Sequence, residues 1–338
     1  MDDNNHFRFT ECMFDDDLQQ TMMEHDSEID QLFNSVQEYR GSEKFKAILD
    51  FCANFRHIAP FNALLINMQQ PGSDLALTLK GWRKYHRKLA PNARPLFYLN
   101  MTPVGAMYDI GDTLPDGTGS MTDQEIIDAV ANPYRNAGKF DQKKLESVLH
   151  NLQYYGIAHD MNFNASTTYA ARIEHRHMLW TVSFDYRNIE LKLPWEMPYL
   201  ISVNNRSEKL EQLQSICHEL GHFFCHHLQP EKPDWWEQRR HDVVIREFEA
   251  ETTAYMVCKR NDIPCPRSDE YLAGYIAQNK EIPRNISVET IMKAVNSIEK
   301  MLLPQTCSQG LLYNVDKAFK TAVKREKGKI DQVSQKNK

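Results

Sequence analysis

Five residues, His218-Glu219-Leu220-Gly221-His222, constrain this chain more than any other stretch. On a helix, residues four apart stand about 40° apart around the axis, so both imidazoles leave one face. Two histidines presented this way can share one Zn2+, and Glu219 can reach the open coordination position as a general base. The pattern needs a helix, and its flanks predict one. Tyr199-Leu200-Ile201-Ser202-Val203 reads as a short strand. Asn204-Asn205-Arg206 reads as a turn, and Asn205 with Glu208 as a helix start. Leu210, Leu213, Cys217, Leu220 and Phe224 follow at helical spacing as a buried stripe. A strand that feeds such a helix can also pair with extended substrate.

A catalytic zinc takes three protein ligands and keeps one position for water. The best further donor segment is Arg246-Glu247-Phe248-Glu249-Ala250-Glu251-Thr252-Thr253-Ala254-Tyr255, which reads as a second helix. Glu247 and Glu251 are one turn apart and share a face, whereas Glu249 lies about 200° round from Glu247. Glu247 is therefore the expected ligand and Glu251 the carboxylate that orients a ligand histidine; Glu249 is the alternative ligand. The carboxylate not used is expected on a solvated helix face. Asp242 is a further candidate to hold a ligand histidine's second nitrogen. His226 and His227 follow the motif too far along the helix to reach the same ion and are expected to be structural or exposed. His241 or a tyrosine could donate to a developing oxyanion.

The chain has 338 residues, with 41% hydrophobic and 25% charged, enough for two domains with cores of their own. It contains no apolar run long enough to cross a bilayer. Its first residues, Met1-Asp2-Asp3-Asn4-Asn5, are acidic and form no apolar signal core, so the expected location is cytoplasmic. Seven cysteines occur at irregular spacing, which fits reduced, buried thiols better than a disulfide framework. Cys217 and Cys225, close to the histidines, are expected in the core rather than on the metal.

The net charge of −6 is unevenly spread. Residues 1–34 are acidic and are expected to form a mobile segment that could fold over a basic face. Residues 35–118 form a separate unit that ends in the turn sequence Thr113-Leu114-Pro115-Asp116-Gly117-Thr118-Gly119. Within it, Phe45 to Met68 has helical periodicity broken by Pro60, and Leu96–Leu99 and Met107–Ile110 read as strands. Trp82-Arg83-Lys84-Tyr85-His86-Arg87-Lys88 reads as a basic-aromatic helix. Arg83, Lys84, Arg87 and Lys88 could track a phosphate backbone while Trp82 and Tyr85 stack on unpaired bases. The plainer reading of the same segment puts its aromatics in the core and its charges in water. Residues 119–310 carry the metal motif, and 311–338 form a basic helix or tail expected to fray into solvent.

At this point the residues carry a resemblance. His218-Glu219-Leu220-Gly221-His222, with Glu247-Phe248-Glu249-Ala250 downstream, resembles the ImmA/IrrE metallopeptidases. That resemblance implies Glu247 as the third zinc ligand and a protein substrate, one regulator cut at one site. Residues 246–255, with Tyr271-Leu272-Ala273-Gly274-Tyr275, are similar to ArdC-like antirestriction proteins. Pro60–Ile66, Gly81-Trp82, Arg87 and Tyr108–Thr113 resemble the N-terminal domain of those proteins, which implies single-stranded DNA as a partner. The expectation is an α+β chain in which a zincin-like metallopeptidase domain follows a smaller α+β domain. Its chemistry would be that of a gluzincin-like zinc endopeptidase, with His218, His222 and Glu247 on the metal and Glu219 as base. The alternative is an antirestriction-type DNA-binding protein with a structural or vestigial zinc site.

Overall fold

The computed structural model describes residues 28–99, 104–131, 140–163, 170–186, 188–233, 235–304 and 317–336. Helices and strands are mixed along the chain, as an α+β fold requires. The chain divides into two compact units, Met1–Pro133 and Tyr134–Lys338. Among the described residues no helix is long and apolar enough to cross a membrane.

The first unit begins with α1 (Glu28–Ser35), α2 (Ser42–Asn54) and α3 (Pro60–Gln69). Pro60 starts α3 at a position where its missing N–H costs nothing. Residues 1–27 of the expected acidic segment lie outside the described residues. Residues 28–34 do not continue a loose tail: they belong to α1, whose Phe33 is buried against Tyr39 and Phe45.

Short strands follow: β1 (Ala76–Leu77), then α4 (Leu79–Lys84), β2 (Arg87–Leu89), β3 (Leu96–Tyr98), β4 (Gly105–Asp109) and β5 (Thr113–Pro115). β4 pairs antiparallel with both β1 and β3, and β2 pairs antiparallel with β5. α5 (Asp123–Ala131) closes the unit. Its Ile126 joins Leu75, Trp82 and Ile110 in one buried cluster. For that reason the unit extends past the turn at 113–119, where the boundary was expected.

The expected basic-aromatic helix over 82–88 is not what forms. α4 stops at Lys84, His86 takes a left-handed backbone (φ 55°), and Arg87 enters β2. Trp82 is 0% exposed, and its indole N–H donates to the Tyr108 carbonyl at 2.8 Å. Arg87 is 5% exposed and donates to the Thr113 hydroxyl at 2.6 Å, the Thr113 carbonyl at 3.0 Å and Asp123. Both side chains are buried inside the unit. A buried guanidinium needs several acceptors, and here the fold supplies them. Tyr85 packs half-buried on the Trp82 cluster, while Arg83, Lys84 and Lys88 are exposed.

In the second unit, α6 (Gln142–Leu152) is capped by Asp141, which accepts from the Lys143 N–H at 3.0 Å. A sheet follows, built from β6 (Ile157–Phe163), β7 (Ala171–Tyr186) and β8 (Ile189–Asn204) in the order β6-β8-β7. β8 runs parallel to β6 and antiparallel to β7. From Met197 to Asn204 every residue of β8 is buried, the signature of a strand covered on both faces. The expected strand Tyr199–Val203 lies inside this stretch, so it is central and both its edges are taken. The outer edges of this sheet belong instead to β6 and β7, neither of which has a further strand beside it among the described residues.

Four helices complete the unit: α7 (Lys209–Phe224), α8 (Val243–Arg260), α9 (Pro266–Gln278) and α10 (Val288–Met301), before α11 (Lys317–Lys336). The expected start of α7 at Asn205 with Glu208 does not form; Glu208 itself is the N-cap residue, without a side-chain cap. Leu213, Ile216, Cys217, Leu220 and Phe223 make the buried stripe of α7. α11 is not simply a solvated end. Val323 is buried with Val182, Leu191 and Leu200, Ile330 packs beside them, and Tyr186 bonds Asp331 at 3.1 Å. Residues 311–316 lie outside the described residues. Cys52, Cys217, Cys225, Cys258 and Cys265 are buried and unbridged.

Candidate metal centre

Two helices build the site, and a glycine sets how closely they meet. A Cβ added at Gly221 on α7 would stand 2.9 Å from both the Cα and the carbonyl oxygen of Ala250 on α8. That near contact lets the two backbones approach, and it brings the His218/His222 face to the Glu247/Glu251 face.

The donor atoms then converge. His218 Nε2 lies 3.2 Å from His222 Nε2, 3.4 Å from Glu247 Oε2, and His222 Nε2 lies 3.5 Å from Glu247 Oε1. Ligands held about 2.0–2.1 Å from one tetrahedral ion stand about 3.3 Å apart, so this donor set fits zinc in chemistry and in size. The three residues form one of the groups among the described residues able to hold a metal ion.

Each histidine has a partner on its far nitrogen. Glu251 Oε2 lies 2.8 Å from His218 Nδ1. His222 Nδ1 lies 3.0 Å from Nδ1 of His227, whose Nε2 lies 2.7 Å from Glu249. If His227 Nε2–H donates to that carboxylate, its Nδ1 accepts from His222 Nδ1–H. His222 Nε2 is then left unprotonated and able to bind metal. Burial holds neutral His227 below the ordinary histidine value, against the pull of Glu249.

His227 reaches His222 because of how α7 ends. His226 takes a left-handed backbone (φ 60°), the His226 N–H bonds the Phe223 carbonyl at 3.1 Å, and the His227 N–H bonds the His222 carbonyl at 3.0 Å. This is a Schellman turn, and it folds the chain back onto the last turn of the helix. Helical drift, which would carry His226 and His227 away from the histidine pair, stops at Phe224.

Glu249 differs most from expectation. It is 0% exposed rather than solvated. Arg239 clamps it with two bonds at 2.6 and 2.7 Å, and the Ser287 N–H donates to it at 2.7 Å. Burial works against its charge, but His227 and Arg239 outweigh burial and hold it below the ordinary carboxylate value. Its oxygens are fully engaged away from His218. Asp242 also lies elsewhere than expected. It is exposed at the start of α8, where its carbonyl accepts the Arg246 N–H, and the nitrogens it might have held are taken by Glu251 and His227.

Glu219 accepts the N–H of Ile173 at 2.8 Å, a β7 donor spent on the carboxylate rather than on β8. Burial raises the Glu219 pKa, against the lowering pull of His218 and His222. For His218, burial opposes the charged form, but hydrogen bonds to Glu247 and Glu251 prevail and hold its proton up to about 10. Those bonds to His218 and His222 hold Glu247 well below the usual carboxylate range.

Of the oxyanion candidates, Tyr271 on α9 is close enough to Glu251 and Glu247 for their charges, after burial, to raise its pKa. His241 is surrounded instead by Arg239, Glu249, Asp242 and Arg246. The cysteines contribute packing: Cys217 and Cys225 are 0% exposed, and burial pushes the Cys225 thiol up to about 12.

Residues 162–259 match a peptidase family model, the IrrE N-terminal-like domain. The matched segment runs from the end of β6 through α8, so the strand edge, His218, Glu219, His222, Glu247, Glu249 and Glu251 all fall within the IrrE-like segment. The match supports an ImmA/IrrE-type peptidase and, in general terms, a metal-dependent one. It covers less than half of the chain and leaves the first unit outside. No curated protein and no solved structure matches the chain.

Proposed function

We infer that the second unit is a zinc endopeptidase of the gluzincin-like kind acting on protein. The observation that carries this is the convergence of donor atoms from three residues at 3.2–3.5 Å with Glu219 on the same helix turn. His218, His222 and Glu247 would hold the ion, and Glu251 and His227, each on a histidine Nδ1, orient the two rings with Nε2 toward it. When bound there, zinc supplies Lewis-acid chemistry, polarising the attacking water and the scissile carbonyl.

This chain's own groups do the rest. Glu219 takes a proton from the attacking water and passes it to the leaving amine nitrogen. Its raised pKa makes it a better proton acceptor than an exposed glutamate. Substrate in extended form can add to the open edge of β7, with its peptide carbonyl near Glu219. Tyr271, which feels the charges of Glu251 and Glu247, is the candidate to donate to the developing oxyanion.

The test compares zinc-loaded native chain with Glu219→Gln on a reduced, alkylated protein mixture, reading new amino termini by mass spectrometry. Native chain is expected to generate them, and Glu219→Gln to generate none while keeping its zinc. Cleavage retained in Glu219→Gln overturns the assignment of the base.

A further inference from the structure

A second cluster of metal-ligating side chains joins β7 to the segment after α7, outside the His218/His222/Glu247 site. His175, His177 and Glu231 bring one donor atom each to within 4.8 Å of one another. His175 Nε2 lies 2.8 Å from Glu231 Oε2, and His177 Nε2 lies 3.1 Å from the same oxygen. We propose that His175, His177 and Glu231 form a second binding site for a divalent transition-metal ion such as zinc.

The local fold directs these groups together. His175 and His177 are two apart on a strand, the spacing that places side chains on one face. Between His175 and Met178 the register with β8 slips, so Arg176 and His177 together face the single residue Pro198. Proline has no N–H for the ladder, and the resulting bulge re-aims the strand at His177. The His175 ring rests against Tyr199, ring centres 5.2 Å apart, and Tyr199 is anchored by its hydroxyl donating to the Gln229 carbonyl at 2.8 Å. Two residues further on stands Glu231, so the anchor on β8 also sets where the third donor falls.

The bonding pattern suits a bound cation. Two imidazole nitrogens share one carboxylate oxygen. His177 also has Glu196 Oε1 3.1 Å from its Nδ1, so both its ring nitrogens face carboxylates. A neutral imidazole has one N–H and cannot donate to both; either a protonated ring or a metal-bound one satisfies the pair. A histidine that gives Nδ1–H to a carboxylate and Nε2 to a metal satisfies every group, and it is the arrangement metal-bound histidines adopt. Two imidazoles and one carboxylate suit zinc, leaving one position for water on this half-exposed face. Bound there, the ion clamps the β7 edge to the segment after α7. The same strand supplies the Ile173 N–H to Glu219.

The test is metal content of the full chain after zinc loading and removal of unbound ion, beside His175→Ala/His177→Ala, Glu231→Gln and His218→Ala/His222→Ala. About two zinc ions per native chain are expected, falling to about one in each variant. Glu231→Gln keeps the size of the side chain, so it reads the site even if the double variant misfolds, as checked by circular dichroism. One ion per native chain, lost only with His218→Ala/His222→Ala, overturns this site and leaves the peptidase reading standing. One ion lost only with His175→Ala/His177→Ala and Glu231→Gln supports this site and overturns the peptidase reading. No retained ion in the native chain overturns both.

Discussion

His227 returns to His222 twice, once through the backbone, N–H to carbonyl at 3.0 Å, and once through the rings, Nδ1 to Nδ1 at 3.0 Å. The backbone bond belongs to the end of the helix, and the ring contact belongs to the metal centre. One local turn therefore delivers the group that sets the tautomer of a proposed metal ligand, and Glu249 and Arg239 fix that group from behind.

Substituting His227→Ala is expected to weaken zinc binding by about 10–100-fold, the usual cost of losing a ligand's outer partner. Competition titration with a chelator dye measures it. An unchanged affinity would show that the ring contact does not orient His222.

Glu249→Ala and Glu247→Ala should separate fold from metal. Removing Glu249 leaves the Arg239 guanidinium without its carboxylate, and stability is expected to fall by about 3–5 kcal/mol. Removing Glu247, which is half-exposed, should abolish zinc binding at the centre and cost metal-free stability less than removing Glu249 does. Denaturant melts of chelator-treated protein, paired with metal analysis, check both; a reversed order would exchange the roles assigned to the two carboxylates.

Gly221→Ala pushes a methyl group into the Ala250 backbone rather than into a movable side chain. The helices must separate, at a cost of about 1–3 kcal/mol. Because His222 and Glu247 sit beside that contact, zinc affinity should fall along with the melting temperature. Native affinity in this variant would mean that the contact does not set the donor spacing.

The metal-free centre has a definite pH dependence. His218 holds its proton up to about 10, whereas an unfolded histidine titrates near 6.5. The native state is therefore the tighter proton binder. The resulting stability is complete below about pH 6.5 and is lost as pH rises through about 10. Chelator-treated protein should lose melting temperature across that interval. Zinc needs the same nitrogen unprotonated, so the gap between zinc-loaded and chelated melting temperatures should widen with pH. A gap that stays flat would remove this proton from the competition.

In the first unit, Trp82→Ala is expected to cost about 3–5 kcal/mol, since it empties the centre of a buried cluster. Charge reversal at Arg83, Lys84 and Lys88 should leave the melting temperature nearly unchanged. Loss of single-stranded DNA affinity in the charge-reversed form, measured by fluorescence anisotropy, would tie those exposed cations to nucleic acid. Loss only with Trp82→Ala would report unfolding.

Periodicity alone determined that His218 and His222 share a face, that Glu247 and Glu251 share another, and that Glu249 points away from both. These are relations within one helical turn, and helix geometry dictates them wherever the helix lies. The breaks at Pro60 and the apolar run at 199–203 were legible for the same reason: they act on their own backbone. Tertiary structure decided the rest. Glu249 is a buried partner of Arg239 rather than a solvated charge because α10 and the segment after α7 cover the far side of α8. Trp82 and Arg87 turn inward because α5, distant in sequence, closes over them. β6 and β7 rather than β8 form the outer edges because strand order depends on pairing energies between segments, which no local pattern encodes. His227 became a partner of His222 through a left-handed residue at His226, where no glycine advertises the turn.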